Sequence, residues 1–285
     1  MAVTRPVAVL MLITAGATWG ATFPVVKQAL ADTGPLTFLA LRFGLAAALL
    51  LPTLRLAGGS RRGTWRAVSC GVALFVGYAF QTTGLATSTP ARSAFITALS
   101  IVLVPLLEPL FGIGRPSARV WSGAVLALAG LAVLLRPEAR PVSRGDVLTF
   151  LCAIAFAIHL LLLQWTVRMV PAGRASTIQV LTTAGLAVPI AGIERWRFVP
   201  TTRLGVAILI CAIVATVGAF WAMTAVQRVL SAAVTAVVLA FEPVAAAVAS
   251  VAMGLEAPSL AMGLGGMVVV AGVILASAAP KRAAA

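Results

Sequence analysis

Glu242 stands near the middle of Ser231 to Gly254, SAAVTAVVLAFEPVAAAVASVAMG, a run long enough to cross a bilayer. A span needs roughly 20 mainly apolar residues, and an ionisable group at the bilayer centre costs at least about 2.5 kcal/mol, so it is rarely kept without a partner or a role. Three roles fit this carboxylate: a protonatable coupling group, a cation-binding group, or a structural acid near a helix break. Pro243 follows at once. Its missing N–H deprives the Leu239 carbonyl of its usual helical donor, so the helix is predicted to kink where the charge sits. The Ala, Val, Ser and Gly neighbours permit close backbone approach, which suits an inner helix.

Other spans carry polar or aromatic groups at helical spacing, the kind that can line a wet cavity near the midplane. Phe75, Tyr78, Gln81 and Thr82 lie at i, i+3, i+6 and i+7, an aromatic and amide face that either holds an amino-acid side chain or flat ring, or glues helices together. Trp19 and Phe23 are one turn apart, with Lys27 a turn further on, where it either snorkels to the interface or attracts a carboxylate. Arg42 invites the same two readings, with an ion pair or interface anchor preferred. His159, the one histidine, shares a face with Phe156 and Leu163 and is either hydrogen-bonded packing or a substrate contact. Gln164 and Trp165 point to other faces. Trp221 is a further candidate wall, and Glu108 reads as structural.

The elements that must position these groups follow from composition. The chain has 285 residues, 61% hydrophobic and 10% charged, a balance that belongs to an integral membrane protein. Its net charge of +14 comes from basic residues scattered between apolar runs, without a contiguous basic face, so no nucleic-acid partner is expected. Cys70, Cys152 and Cys211 fall in separate apolar runs without metal or disulfide spacing and read as small core residues. No metal-ligand cluster, nucleophile elbow or phosphate loop occurs, so neither an enzyme nor a cofactor is expected. The first run continues past Trp19 and Lys27 without a small-residue cleavage site and counts as a span.

Ten spans are predicted: Pro6 to Leu30, Leu36 to Leu56, Arg66 to Ala86, Pro90 to Phe111, Ala118 to Leu135, Asp146 to Met169, Ala175 to Ile193, Arg203 to Gln227, Ser231 to Gly254 and Ala257 to Ala278. Gly123 and Gly130 recur as Gly265 and Gly272 after 142 residues, whereas Pro105 recurs as Pro243 after 138, so two homologous halves are expected with about one extra turn in the second. The glycine faces are expected to pack within one bundle. With the N-terminus cytoplasmic, the inner ends carry twelve basic residues (among them Arg61, Arg62, Arg66, Lys281 and Arg282) against seven outside, where Asp32, Glu138, Asp146, Glu194 and Glu256 also fall. Five spans per half then force the halves into opposite orientation, a transporter signature.

The order of WGATFPVVKQAL (Trp19 to Leu30), LRFGLAAALL (Leu41 to Leu50), PARSAFITALSIVLVPLL (Pro90 to Leu107), GDVLTFLCAIAFAIHLL (Gly145 to Leu161) and FEPVAAAVASVAMGLE (Phe241 to Glu256) resembles the drug/metabolite transporter superfamily, EamA type. The fourth span departs from it, ending in GIGRPS where many relatives have a Gly-Glu-Arg-like end. The resemblance implies an all-α integral membrane fold of ten transmembrane helices as two inverted five-helix repeats, residues 1–136 and 146–280, with an inter-repeat loop at 137–145 and a cytoplasmic tail at 281–285. It further implies a central cavity, alternating access, and commonly export of amino acids or other small metabolites. The expectation is a monomer in the cytoplasmic membrane, both termini cytoplasmic, exporting apolar or aromatic amino acids. Efflux of lipophilic cations through Glu242 is the alternative, and a membrane scaffold or lipid-handling protein a further one.

Overall fold

A computed structural model describes residues 3–55, 58–136, 141–254 and 257–278. The expected positions Glu138, Arg140, Leu255, Glu256, Lys281 and Arg282 lie outside the described residues. Among those described, nine helices are long and apolar enough to cross a membrane, and a shorter apolar helix covers Arg92–Leu107. The first half contains α1 (Arg5–Ala29), α2 (Pro35–Leu50), α3 (Arg61–Thr87), α4 (Pro90–Thr97), α5 (Ser100–Leu107) and α6 (Ala118–Leu135). The second contains α7 (Arg144–Thr166), α8 (Ala172–Ala191), α9 (Thr202–Leu209), a π-helical segment (Ile210–Gly218), α10 (Ala219–Val226), α11 (Ala232–Val238), α12 (Phe241–Ala252) and α13 (Leu260–Ser277).

Hydroxyl caps start most of these helices. Ser60, Thr89, Ser117, Ser143, Thr201, Ser231 and Ser259 each accept an N–H from the first turn, satisfying a donor that the helix itself cannot. The caps also set the repeat. Thr89 and Ser231 are 142 positions apart, as are Ser117 and Ser259. No extra turn separates the two copies, so the pairing of Pro105 with Pro243 is corrected. Pro105 lies inside α5, whereas Pro243 occupies the first turn of α12, where an N–H has no helical acceptor and proline is tolerated.

The fourth and ninth spans are both broken. α4 stops at Ala98 and α5 starts after Leu99; α11 stops at Leu239 and α12 starts after Ala240. The kink expected at Glu242-Pro243 thus falls just before the pair, and the Leu239 carbonyl is not orphaned, since it accepts the Glu242 N–H at 2.9 Å. Glu242 itself sits in the first turn of α12, the end of a helix where a negative charge is favoured.

α6 and α13 pack antiparallel along their glycines. A Cβ on Gly123 would lie 2.7 Å from the Gly272 carbonyl oxygen, and one on Gly130 would lie 2.8 Å from that of Gly265. Equivalent glycines therefore meet crosswise, first of one helix with second of the other, as two inverted copies require. The contact is made within one chain, as expected.

The two ends of the bundle are tied differently. Between α1 and α2, Asp32 accepts from Arg203 Nε at 2.9 Å and Nη2 at 2.6 Å, and from Thr201 Oγ1 at 2.7 Å. Beside it, Thr33 forms a β-bridge with Phe198, and Glu194 accepts the Thr37 N–H and hydroxyl at the start of α2. At the opposite ends of α2 and α8, Gly58, Gly59 and Gly63 pack against Met169, Val170 and Pro171. Large apolar side chains such as Leu110, Val248 and Leu260 are exposed on the outer surface, as a lipid-facing surface allows.

Candidate functional site

The helix breaks open onto a cavity with about 910 Å³ of empty space, its mouth included. Ser100, at the start of α5, and Glu242 and Pro243, in the first turn of α12, all line it. Aromatic residues form one part of the remaining wall, beside aliphatic residues such as Leu74, Leu160 and Met223 and the hydroxyls of Thr22 and Thr97. Trp19 and Phe23 come from α1, Tyr78 from α3, Phe156 and His159 from α7, and Phe220 from α10. Their rings interlock at offset and edge-on angles: Trp19 to Phe220 is 5.1 Å between centroids, Tyr78 to Phe156 5.2 Å, and Tyr78 to Phe220 6.0 Å.

Each polar group in the wall has a distinct setting. The Trp19 indole donates to the Ala215 carbonyl at 2.6 Å, which pins the ring to the π-helical segment. His159 Nε2 lies 2.7 Å from Gln179 Oε1, and Gln179 Nε2 donates to Thr224 Oγ1 at 3.0 Å. Because the Gln179 amide nitrogen is already committed as a donor, its oxygen receives, and the hydrogen-bond network assigns the imidazole proton to Nε2. The Gln81 and Glu242 side chains line the cavity without a hydrogen bond to any described residue. Glu242 also forms no ion pair within 4 Å among the described residues. α1 abuts the backbone of α12 closely here, for a Cβ on Gly20 would collide with the Glu242 backbone carbonyl oxygen.

Seven of the ten residues singled out from the sequence thus share one cavity: Trp19, Phe23, Tyr78, Gln81, His159, Glu242 and Pro243. Three do not line it. Lys27 donates to the carbonyls of Leu85, Ala86 and Ser88 at 2.7 to 3.1 Å and so caps the C-terminal end of α3. Trp165 packs against Phe111 at 5.6 Å and under the Arg66 guanidinium at 5.2 Å, well along α7 from His159. Trp221 is 51% exposed on the outer face, and the adjacent Phe220 takes the inward position that Trp221 was expected to fill. One residue in the sequence shifts a helical side chain by about 100°, so neighbours cannot share a wall. Glu108 is buried, and its Oε1 accepts the Ala233 N–H at 2.9 Å, which bears out a structural role at the start of α11.

The residue that sequence reasoning underrated is Arg42. It lines the cavity, only 4% exposed, with its Cζ 4.6 Å above the Tyr78 ring. No acid lies within 4 Å of it among the described residues, so the expected ion pair is absent. The signal was present: an arginine deep in an apolar span is expensive, and lining a cavity is a leading reason to keep one.

The model of the EamA-like transporter family matches residues 6–136 and again residues 143–278. An uncharacterized transporter of Archaeoglobus fulgidus is 30% identical over 259 residues, covering 91% of this chain and 82% of its own length. A crystal structure superposes with a TM-score of 0.79 at 22% identity, covering 96% of this chain and 97% of that one, which shows the shared fold. With two matching segments spanning nearly all of its length, this multi-pass membrane protein belongs to the EamA-like transporter family of the drug/metabolite transporter superfamily.

Proposed function

We propose that the protein exports small amphipathic metabolites, foremost apolar and aromatic amino acids, by alternating access through the cavity between the broken helices. The observation that carries this reading is the cavity's makeup: aromatic rings on a partly apolar wall beside a carboxylate, Glu242, with no ion pair within 4 Å among the described residues. Apolar pockets with few, placed polar groups bind amphipathic molecules by burying the body and orienting the head. Here the ammonium group of an amino acid would meet Glu242, and its side chain would pack against Trp19, Tyr78 and Phe220. The working unit is a monomer in the cytoplasmic membrane with both termini inside, built of repeats 1–136 and 146–280 joined through 137–145. The excess of basic residues at the inner ends supports that orientation.

The same unpaired carboxylate in an aromatic setting also favours a second reading, efflux of lipophilic cations. Uptake of a radiolabelled amino-acid panel into proteoliposomes, with and without a pH gradient, separates the two. Saturable flux of aromatic amino acids, weakened by Tyr78→Ala, is the expected result; if it ignores the gradient, Glu242 is a binding or structural acid and not a coupling group. No amino-acid flux, together with lipophilic-cation flux abolished by Glu242→Gln, installs the second reading. A folded bundle that moves neither class sinks both.

A further inference from the structure

We propose that Arg42 is the carboxylate receptor of the cavity, so that the transported class carries a free carboxylate as well as an ammonium group. This rests on the transport reading above and deepens it. Arg42 lies midway along α2, buried, on the wall of the cavity. Its Nε donates to Thr216 Oγ1 at 2.9 Å, and its Nη2 to the Ala215 carbonyl at 3.2 Å and the Tyr78 hydroxyl at 3.4 Å. These partners are all neutral. They orient the guanidinium, and among the described residues no acid lies within 4 Å of it, Glu242 facing the same cavity from beyond that distance, an arrangement that costs free energy when the group is buried. The Nη1 amino group makes no hydrogen bond to a described residue, so two donors of the fork stay available to a ligand.

The backbone beside it is adapted to this task. Thr216 and Ala215 belong to the π-helical segment, whose wider turns often mark functional sites. The Ala219 N–H, the ordinary α-helical partner of the Ala215 carbonyl, goes to the carbonyls of Val214 and Thr216 instead. The Ala215 oxygen is thereby released to receive Arg42 and Trp19 together. The π segment thus fixes a cation and a flat ring side by side on one wall. A ligand carboxylate accepting from Nη1 would supply a negative charge in direct contact, with the geometry that a guanidinium favours. Glu242, on the same cavity and also without an ion pair, is left for the ammonium group.

The test compares proteoliposome uptake of L-phenylalanine, L-phenylalaninamide and phenethylamine, the last two keeping the ring and the ammonium group but lacking the carboxylate. Wild-type protein is expected to take up the amide and the amine with KM values about 30-fold or more above that of the acid, the scale of one charge-assisted hydrogen-bond pair. Arg42→Gln should close the gap in KM between phenylalanine and its amide, whereas a purely structural role would depress uptake of all three compounds alike and keep the gap. Arg42→Lys, which keeps charge without the fork, should fall between. Equal wild-type uptake of acid and amide overturns the proposal while the transport reading survives, and it needs no variant to fold. Absence of all amino-acid flux overturns both.

Discussion

The two broken helices are the same scaffold carrying different chemistry. By the spacing of their hydroxyl caps, Ser100 at the α4–α5 break corresponds to Glu242 at the α11–α12 break. Both line the cavity. One position offers a small neutral hydroxyl and the other a carboxylate without a partner. The same division holds around them: in the second half the span bearing Phe220 contains a π-helical segment, whereas its counterpart α3 is a regular helix over Arg61–Thr87. Inverted symmetry thus builds the cavity, and departures from symmetry equip it. A fully symmetric site would present the same groups twice and could not distinguish the two ends of an asymmetric ligand.

The most damaging way to break this comparison is to remove the symmetry itself. Gly130→Val and Gly272→Val each place side-chain atoms where even a Cβ meets backbone at 2.7 Å. Helix cannot retreat cheaply from helix, so each substitution should cost about 3 kcal/mol or more and lower the detergent-solubilised Tm by on the order of 10 °C. A Tm within a degree or two of wild type would mean that the two halves do not depend on this contact.

Next in size is erasing the chemical difference. Glu242→Ser gives both breaks a hydroxyl, and we expect kcat/KM for aromatic amino acids to fall about 30- to 100-fold, the loss of one charge-assisted contact, while the Tm holds within a few degrees. A fall in Tm with transport intact would instead make Glu242 a structural acid at the start of α12. Ser100→Ala sharpens the contrast from the other side: a hydroxyl without a hydrogen-bond partner among the described residues should be worth about threefold or less in kcat/KM. A loss as large as that of Glu242→Ser would show that both breaks bind the head group.

The smallest effect concerns the ends. Hydrogen bonds from Arg203 and then Thr201 hold the Asp32 carboxyl below the usual carboxylate range. A carboxylate so depressed adds stability above its unfolded value and loses it as pH falls through its folded one. Asp32→Asn should therefore lower the Tm slightly at neutral pH, and the difference should close only under strongly acidic conditions. A Tm difference that grows on acidification would contradict the assignment. Because Asp32 joins the α1–α2 turn to the segment before α9, whereas the opposite end is closed by Gly58, Gly59 and Gly63 against Met169 to Pro171, comparable substitutions there should act through packing and show no such pH dependence.

Much of this was legible in the sequence, for identifiable reasons. Apolar runs of fixed length must become spans because the bilayer leaves no partner for unpaired backbone groups, and the boundaries of α6 at Ala118 and Leu135 agree with the sequence reading. The glycine pairs announced a close helix contact, since little else explains their spacing. Trp19, Phe23, Tyr78, Gln81, His159 and Glu242 were found because polar and aromatic groups in apolar spans have few reasons to be there. What failed were questions of direction. Trp221 and Phe220 are neighbours in the chain, and only packing decided which turned inward.

By itself the sequence determined the class of molecule, the number of spans and their duplication, because hydropathy, length and spacing are local and additive along the chain. Tertiary structure alone decided the location of the helix breaks, the π-helical turn that frees the Ala215 carbonyl, and the exposure of Arg42 to a cavity in place of an ion pair. Those outcomes depend on which groups from distant segments arrive at the same place. Arg42 and Thr216 are 174 residues apart, and no pattern in either segment specifies the other.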